Sequence, residues 1–95
     1  EGEVHIDTGA SEALLEKGKS LLPVGIKRID GEFERGASVS ILDPSGKEIA
    51  RGLSGINSTD LKAIMGMRMD DAAKKVGHVL PKAAVHRDDL WLLNN

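Results

Sequence analysis

The residue types that most often carry out chemistry in proteins are sparse and scattered in this chain. It has no cysteine and three histidines, His5, His78 and His86, which form no i, i+4 pair. Because a zinc site needs three or four convergent ligands, this spacing does not indicate one. The adjacent carboxylates Asp70-Asp71 and Asp88-Asp89 are typical of a helix start and a turn rather than of an acid–base couple. We therefore predict neither a catalytic constellation nor a metal site in these residues.

Two short motifs have the form of functional loops in other proteins. The tripeptide His86-Arg87-Asp88 is also found in the catalytic loop of protein kinases, but here Leu93 stands at the position of the metal-binding Asn. Gly52-Leu53-Ser54-Gly55 has the GxxG form of a KH-domain loop, which joins two helices, whereas this segment follows a predicted strand. We interpret the first as a charged turn and the second as a bend at the end of a strand.

Basic residues could form a binding surface. The candidates are Lys17, Lys19, Lys27, Arg28, Arg35 and Arg51. The first predicted helix, the turn after it and the second predicted strand could bring them to one side, where they would contact the phosphates of a nucleic acid. The alternative is a solvated charged face, which the neighbouring acids Glu32, Glu34 and Glu48 favour. Both interpretations stay open, and the second is preferred.

The composition limits what such a surface could bind. The net charge is −2 at pH 7, the pI is near 5.9, and one Trp and one Phe are the only aromatic residues. Proteins that bind nucleic acid through the phosphate backbone usually have a basic excess, and single-strand binders add aromatic side chains for stacking. The composition therefore lowers the expectation of RNA binding without excluding it.

The length of 95 residues allows one hydrophobic core, so we predict a single domain over residues 1–95. Hydrophobic residues make up 40% of the chain and charged residues 29%, as in ordinary globular domains. No apolar run approaches the roughly 18 residues of a membrane span, and no signal or transit segment is recognised. The absence of cysteine fits a reducing cytosol. Because the chain opens on Glu1 rather than Met, we expect it to be a fragment of a longer protein.

Hydrophobic periodicity predicts the first elements. A strand is expected over residues 3–7, followed by a helix over 10–17 that is capped by Asp7 or Thr8 and ended by Gly18. A second strand is expected from Val24 to Phe33. Its apolar residues change parity along the strand, which predicts a bulge or bend near Lys27-Arg28, as at the corner of a small barrel.

A hairpin is predicted next, with strands over 38–43 and 47–53 around the turn Asp43-Pro44-Ser45-Gly46. A three-residue loop would place Ile41 opposite Ile49 and Val39 opposite Arg51, whereas a two-residue loop would place Ile41 opposite Glu48. The three-residue loop is favoured because it pairs apolar with apolar side chains.

Two further helices and a final strand complete the predicted elements. Ser58 is expected to cap a helix over 59–65, which Gly66 ends, and a third helix is expected over 70–76, ended by Gly77. The last strand is expected over 84–93. The fold class is therefore α+β, mainly β: a small barrel-like sheet of about five to six mixed strands with about two to three short helices.

The chain also resembles the C-terminal domain of bacterial glutamate 5-kinases, which belongs to the PUA class. The matching segments are Asp7-Thr8-Gly9-Ala10, residues 18–26 (GKSLLPVGI), residues 31–36 (GEFERG), residues 48–53 (EIARGL), Ser58-Thr59-Asp60 and His86-Arg87-Asp88. Each segment is weak alone, but their order and spacing together are specific. Ala37 and Asp89 depart from the residues common in that family, which are Asp and Asn.

The resemblance implies a PUA-like pseudo-barrel and an accessory role. The parent protein would phosphorylate the γ-carboxylate of L-glutamate with ATP and Mg²⁺, as the first step of proline biosynthesis in the bacterial cytoplasm. Catalysis would lie in an N-terminal amino acid kinase domain, so this fragment would be inactive and hold no cofactor. Its partners would be that kinase domain and further copies in a homo-oligomer, and its role would be regulatory or in assembly. The alternative is an RNA-binding PUA module using the basic residues given above.

Overall fold

The computed structural model describes residues 2–93. The strands are β1 (Gly2–Ile6), β2 (Ile26–Asp30), β3 (Ser38–Leu42), β4 (Glu48–Leu53) and β5 (Leu90–Leu92), and the helices are α1 (Thr8–Lys17), α2 (Ser58–Ile64) and α3 (Met69–Val76). Short 3₁₀ turns lie at Pro23–Gly25 and Arg87–Asp89. The predicted order of elements and the α+β fold class are confirmed.

The five strands form one mixed sheet in the order β2-β1-β3-β4-β5. β1 pairs antiparallel with β2 and parallel with β3, and β4 pairs antiparallel with both β3 and β5. β2 and β5 are therefore the two edges. One face of the sheet carries buried side chains. The opposite face, which we call the outer face, carries Asp30, Glu3, Ser40, Arg51 and Trp91 in neighbouring register positions across the strands.

The buried face of the sheet belongs to one hydrophobic cluster that also includes side chains from all three helices. Val4 and Ile41 contribute from the central strands, Leu14 from α1, Leu61 from α2 and Ala72 from α3, and each is almost completely buried. An isolated helix as short as these is marginal in water, so packing on this cluster is what stabilises them. Among residues 2–93, no helix has the length and apolar character needed to cross a membrane.

The predicted bulge in the second strand is confirmed. His5 of β1 pairs with Arg28 and Ile6 pairs with Ile26, so Lys27 is the extra residue. The bulge allows both Ile26 and Ile29 to be buried although they differ in parity. The predicted start of the strand was wrong, because Val24 lies in a 3₁₀ turn that begins with Pro23 and leaves its side chain exposed.

The three-residue loop of the hairpin is confirmed, but the predicted pairing is wrong. The Asp43 amide donates to the Lys47 carbonyl at 2.9 Å, and Gly46 has a left-handed φ of 88°. Ile41 pairs with Ala50 rather than with Ile49, because the register of β3 and β4 shifts between Ile41 and Leu42. The shift buries both Ile49 and Ala50, which are neighbours in sequence.

Helix caps were predicted correctly at α1 and wrongly at α2. The Asp7 carboxylate accepts from the Ala10 amide at 2.7 Å and Gly18 ends α1 in the left-handed region, as expected. At α2, Asn57 is the cap and accepts from the Asp60 amide at 2.8 Å. Ser58 instead lies buried and accepts from the amide of Phe33 at 3.0 Å.

The last strand is shorter than predicted. β5 begins only at Leu90 because a 3₁₀ turn over Arg87–Asp89 precedes the strand. His86 caps this turn, since its ring nitrogen Nδ1 accepts from the Asp88 amide at 3.1 Å. Upstream, Val85 forms an isolated antiparallel bridge with Leu21. The continuous strand expected over 84–93 is therefore replaced by two separate segments. Val85 pairs with the loop after α1, and β5 pairs with β4.

Candidate functional site: a basic groove

A groove lined by basic side chains runs along residues 81–87. It consists of two adjoining cavities of about 390 and 290 Å³, which share Lys82, Ala83 and His86. Lys19 and Arg87 line the first cavity, and Arg35 lines the second. We call this surface, defined by Lys19, Arg35, Lys82, His86 and Arg87, the basic groove.

Backbone hydrogen bonds hold the 81–87 segment on two sides. On one side the Leu21 amide donates to the Val85 carbonyl at 2.9 Å, and the Arg87 amide donates to the Ser20 hydroxyl oxygen at 2.8 Å. On the other side the Gly55 amide donates to the Ala84 carbonyl at 2.8 Å. The contacts made by Ser20 and Leu21 join parts of the chain that are more than 60 positions apart, and they place Lys82 and Arg87 beside Lys19.

The cations of the basic groove are not neutralised by ion pairs. Within the described part of the chain, Lys19, Arg35, Lys82 and Arg87 form none. The acidic side chain lining the groove is Asp89. A second acid, Asp88, lies 3.5 Å from His86 Nδ1 at the margin of the groove. The four exposed cations still outnumber these two acids, so the surface carries a local excess of positive charge although the chain as a whole is acidic.

An apolar groove continues from the first cavity. It has a volume of about 310 Å³, lies between α1 and the loop after it, and shares Lys19, Ser20 and Leu22 with the basic groove. Leu22 and Val24 are 43% and 48% exposed along it. The combined surface could therefore hold a ligand or a polypeptide that is apolar at one end and anionic at the other.

The structure divides the six predicted basic residues among separate surfaces. Lys19 and Arg35 lie in the basic groove. Lys27 and Arg28 line another cavity, of about 440 Å³, which the end of β1 and the turn at Asp43-Pro44 also line. Lys17 ends α1, and Arg51 lies on the outer face of the sheet. The expected single basic side is therefore not formed by the predicted set.

Two of the predicted residues are already paired. Arg51 Nε donates to a Glu48 carboxylate oxygen at 2.8 Å, and this hydrogen bond lowers the pKa of Glu48. Arg28 donates to Asp30 Oδ2 through Nη2 at 2.8 Å and Nε at 3.1 Å. These bonds, with a smaller contribution from His5, hold the pKa of Asp30 below its usual value. Exposed pairs of this kind contribute little to stability and leave little free charge for a ligand.

Glu3, His5 and Asp30 converge on the outer face with ligand atoms within 4.8 Å of one another. Their geometry is explained by hydrogen bonding, because Asp30 Oδ2 lies 3.1 Å from His5 Nε2 and the Arg28 guanidinium lies 3.4 Å from the same nitrogen. A guanidinium at this position repels a metal cation. We therefore assign no metal to this cluster.

Sequence reasoning missed Lys82, His86 and Arg87 as members of the binding surface. His86 and Arg87 were interpreted only as part of a charged turn, and Lys82 was not considered. The available signal was three basic residues within six positions after Pro81, a loop-forming residue. Their approach to Lys19 depends on the Leu21–Val85 bridge, which no local pattern indicates.

The family model described as "PUA domain" matches residues 2–79, which is most of the chain. The chain therefore belongs to the PUA domain family.

Its relatives are more specific. It is 48% identical over 94 residues to the glutamate 5-kinase of Dictyoglomus thermophilum and 47% identical over 94 residues to that of a Synechococcus strain. It is 42% identical over 92 residues to the glutamate 5-kinase of Deinococcus radiodurans. These matches cover 97–99% of this chain but 25% of each relative. The chain thus spans about a quarter of the length of the curated relatives it matches.

Two solved PUA structures have the same fold. A PUA domain protein from Aeropyrum pernix superposes with a TM-score of 0.64 at 23% identity, covering 99% of this chain and 42% of that one. A PUA domain protein from Thermoplasma acidophilum gives a TM-score of 0.59 at 26% identity, covering 64% of this chain and 40% of that one. The PUA-like fold expected from the sequence is confirmed.

Proposed function

We propose that this chain is the accessory C-terminal PUA domain of a glutamate 5-kinase. The parent protein would transfer a phosphoryl group from ATP to the γ-carboxylate of L-glutamate, at the start of proline biosynthesis in the bacterial cytoplasm. The observation that carries this proposal is the match of almost the whole chain, at 42–48% identity, to a quarter of glutamate 5-kinases from distant bacteria.

In this proposal, catalysis and cofactors belong to the remaining three quarters of the parent. ATP and Mg²⁺ would bind in an amino acid kinase domain that precedes residue 1, and the present chain would act on it through contacts between domains or subunits. The apolar groove and the adjoining basic groove support such a role, because together they offer an exposed surface with both apolar area and unpaired charge.

The test is an assay of the longer protein that contains this chain. Glutamate-dependent release of ADP from ATP and Mg²⁺ is measured for the full protein, for a protein that ends before Glu1, and for the isolated chain, each checked for folding by circular dichroism. We expect activity in the first two, none in the third, and a difference between the first two in inhibition by proline or in oligomeric size.

Each part of the proposal can fail separately. A folded full protein that releases no ADP with glutamate would refute the kinase assignment. A folded shortened protein with the same inhibition and the same size as the full protein would refute the accessory role. Activity in the isolated chain would place catalysis inside residues 1–95 and contradict both.

The alternative function is RNA binding, and the basic groove is the observation that favours it. Four cations that form no ion pair with any other described residue suit contacts with phosphate oxygens. The acidic pI and the single exposed aromatic side chain, Trp91, which lies on the outer face rather than in the groove, weigh against it. The accessory role is therefore the better supported of the two.

A salt titration separates these functions. Binding of a labelled RNA stem-loop is measured between about 20 and 200 mM salt for the wild type and for a variant with Lys19, Lys82 and Arg87 each changed to Glu. The matched control changes Lys27 and Arg28 to Glu. An RNA-binding module should lose affinity steeply with salt, by a log–log slope of about −0.7 to −0.9 for each phosphate contacted, and should lose binding in the groove variant only. No binding at the lowest salt would leave the accessory role alone.

A further inference from the structure

The two edges of the sheet differ in their protection against pairing with another strand. Edge strand β2 carries the charged Lys27, Arg28 and Asp30, and its bulge interrupts regular pairing. Natural sheets block their edges with such charges and bulges. Edge strand β5 consists of Leu90, Trp91 and Leu92 and has no charge, no proline and no bulge. Within residues 2–93 no further strand pairs with it, so this edge is open to an added strand.

The backbone groups of β5 that would receive such a strand can be assigned from its pairing with β4. The Leu93 amide donates to the Ile49 carbonyl at 2.9 Å, and Arg51 lies opposite Trp91 two positions further on. Because hydrogen-bonded and non-hydrogen-bonded pairs alternate in an antiparallel ladder, Trp91 bonds to β4. The N–H and C=O groups of Leu90 and Leu92 consequently point away from β4, toward the open edge.

The side chains of β5 leave apolar surface at this edge. Trp91 is 54% exposed and Leu92 is 44% exposed, and the two project to opposite faces of the sheet. Trp91 is the only tryptophan of the chain. Free strand backbone can pair with an added strand, and tryptophan is enriched among the residues that contribute most to binding at protein interfaces.

We propose that β5 pairs with the β5 strand of a second copy of this chain, antiparallel about a two-fold axis at Trp91. Leu90 then lies opposite Leu92 of the second copy, and the two tryptophans meet on the outer face. The pairing forms about four backbone hydrogen bonds and joins the two sheets into one.

The charge pattern around β5 favours a second copy as the occupant. In this register Asp89 lies opposite Leu93 of the second copy, so no like charges face each other. Self-pairing through β2 would instead have to accommodate the bulge at Lys27 and three charged side chains at the new seam, which is unfavourable. The inference deepens the assembly role proposed above and rests on it, since it supplies the surface through which two accessory domains would associate.

The first measurement is sedimentation velocity of the 95-residue chain from about 5 µM to about 1 mM, with amide hydrogen exchange at both ends of this range. We expect a monomer to become a dimer within it, as for a small transient interface. The Leu90 and Leu92 amides should gain protection only in the dimer, and the Trp91 amide should be protected in both states. Trp91 emission should shift to shorter wavelength as the dimer forms.

The key variant is Leu92→Pro, which removes an outward N–H while leaving the β4 ladder intact. Because each copy loses one N–H donor, the dimer loses two hydrogen bonds, and we expect the dissociation constant to rise about 30-fold. Leu92→Lys, which adds the charge used on protected edges, should act in the same direction. Leu15→Lys is the control, because Leu15 is similarly exposed, at 47%, but lies on α1. It should dimerise like the wild type.

Three results would overturn the proposal. One is a chain that stays monomeric at 1 mM, and another is a dimer that Leu92→Pro and Leu92→Lys leave unchanged. The third is protection of Leu90 and Leu92 in the monomeric longer protein, since a segment of the parent would then occupy the edge. None of these measurements uses glutamate or ATP, so they are independent of the kinase assay. A chain that does not dimerise, together with an active kinase, would refute the dimer and leave the proposed function standing. A chain that dimerises, together with an inactive longer protein, would refute only the proposed function.

Discussion

At the scale of single residues, Gly25 shows how closely the loop after α1 approaches the helix. A Cβ atom at position 25 would lie 2.6 Å from the Ala10 methyl group, whereas one at Gly9 would meet nothing closer than 3.6 Å. We expect Gly25→Ala to lower the free energy of unfolding by about 1–3 kcal/mol, because either the loop or α1 must move. The matched change Gly9→Ala should be neutral or stabilise by up to about 1 kcal/mol, because alanine favours helix. Urea unfolding measures both, and equal effects would contradict the close approach.

His78 gives a prediction of pH dependence at the same scale. As an imidazolium it donates to the Val79 carbonyl and to Asp60 Oδ2, each at 3.1 Å. The Val79 carbonyl first, and then Asp60, raise the pKa of His78 above its ordinary value near 6.5. The stabilising contribution of His78 is therefore complete below about pH 6.5 and is lost as pH rises through the higher folded pKa.

The measurement is the difference in melting temperature between wild type and His78→Gln at about pH 5.5 and about pH 8.5, with an NMR titration of the His78 ring. The wild type should have its larger advantage at the lower pH. Asp60→Asn serves as the control and should bring the pKa of His78 closer to its ordinary value. A wild-type ring that titrates at or below 6.5 would contradict the assignment.

At the scale of elements, the start of α2 depends on two neighbouring residues with different roles. Asn57 caps the helix, while Ser58 bonds the buried Phe33 amide and ties α2 to the loop after β2. Asn57→Ala should cost about 1 kcal/mol, and Asn57→Asp should restore the cap. Ser58→Ala should cost about 1–3 kcal/mol, because it leaves a buried N–H without a partner. Thermal unfolding measures each variant. A Ser58→Ala protein as stable as wild type would show that the Phe33 amide finds another partner.

The elements also show what local patterns can predict. Asp7, Gly18 and the Asp43–Gly46 turn act through neighbours in sequence, so the cap, the helix end and the hairpin loop were all predictable. The bulge at Lys27 was predictable because burial of Ile26 and Ile29 requires it. The shift at β4 was not, since Ile49 and Ala50 are both apolar and fit either register. The basic groove was not predictable either, because it depends on pairing across more than 60 positions.

At the scale of the whole molecule, the bridge between Leu21 and Val85 connects the N-terminal and C-terminal parts of the chain. The loop after α1 and the segment before β5 pair here, and both contribute side chains to the common hydrophobic cluster. The same bridge places Lys19 beside Lys82 and Arg87. Stability and the candidate binding surface therefore depend on the same contact, so loss of the bridge should disturb both.

Adjacent leucines test this dependence. Leu21 is 1% exposed and Leu22 is 43% exposed. We expect Leu21→Ala to lower the free energy of unfolding by about 2–5 kcal/mol, because it leaves a cavity in the cluster. That loss is a large part of the roughly 5–15 kcal/mol that is the typical free energy of unfolding of a domain. Leu22→Ala should cost about 1 kcal/mol or less, because its side chain already contacts solvent. Urea unfolding followed by circular dichroism gives both values. If the cluster joins the two parts of the chain into one cooperative unit, Leu21→Ala should move the whole unfolding transition to lower urea concentration in a single step. Two separate steps would show that the two parts unfold independently.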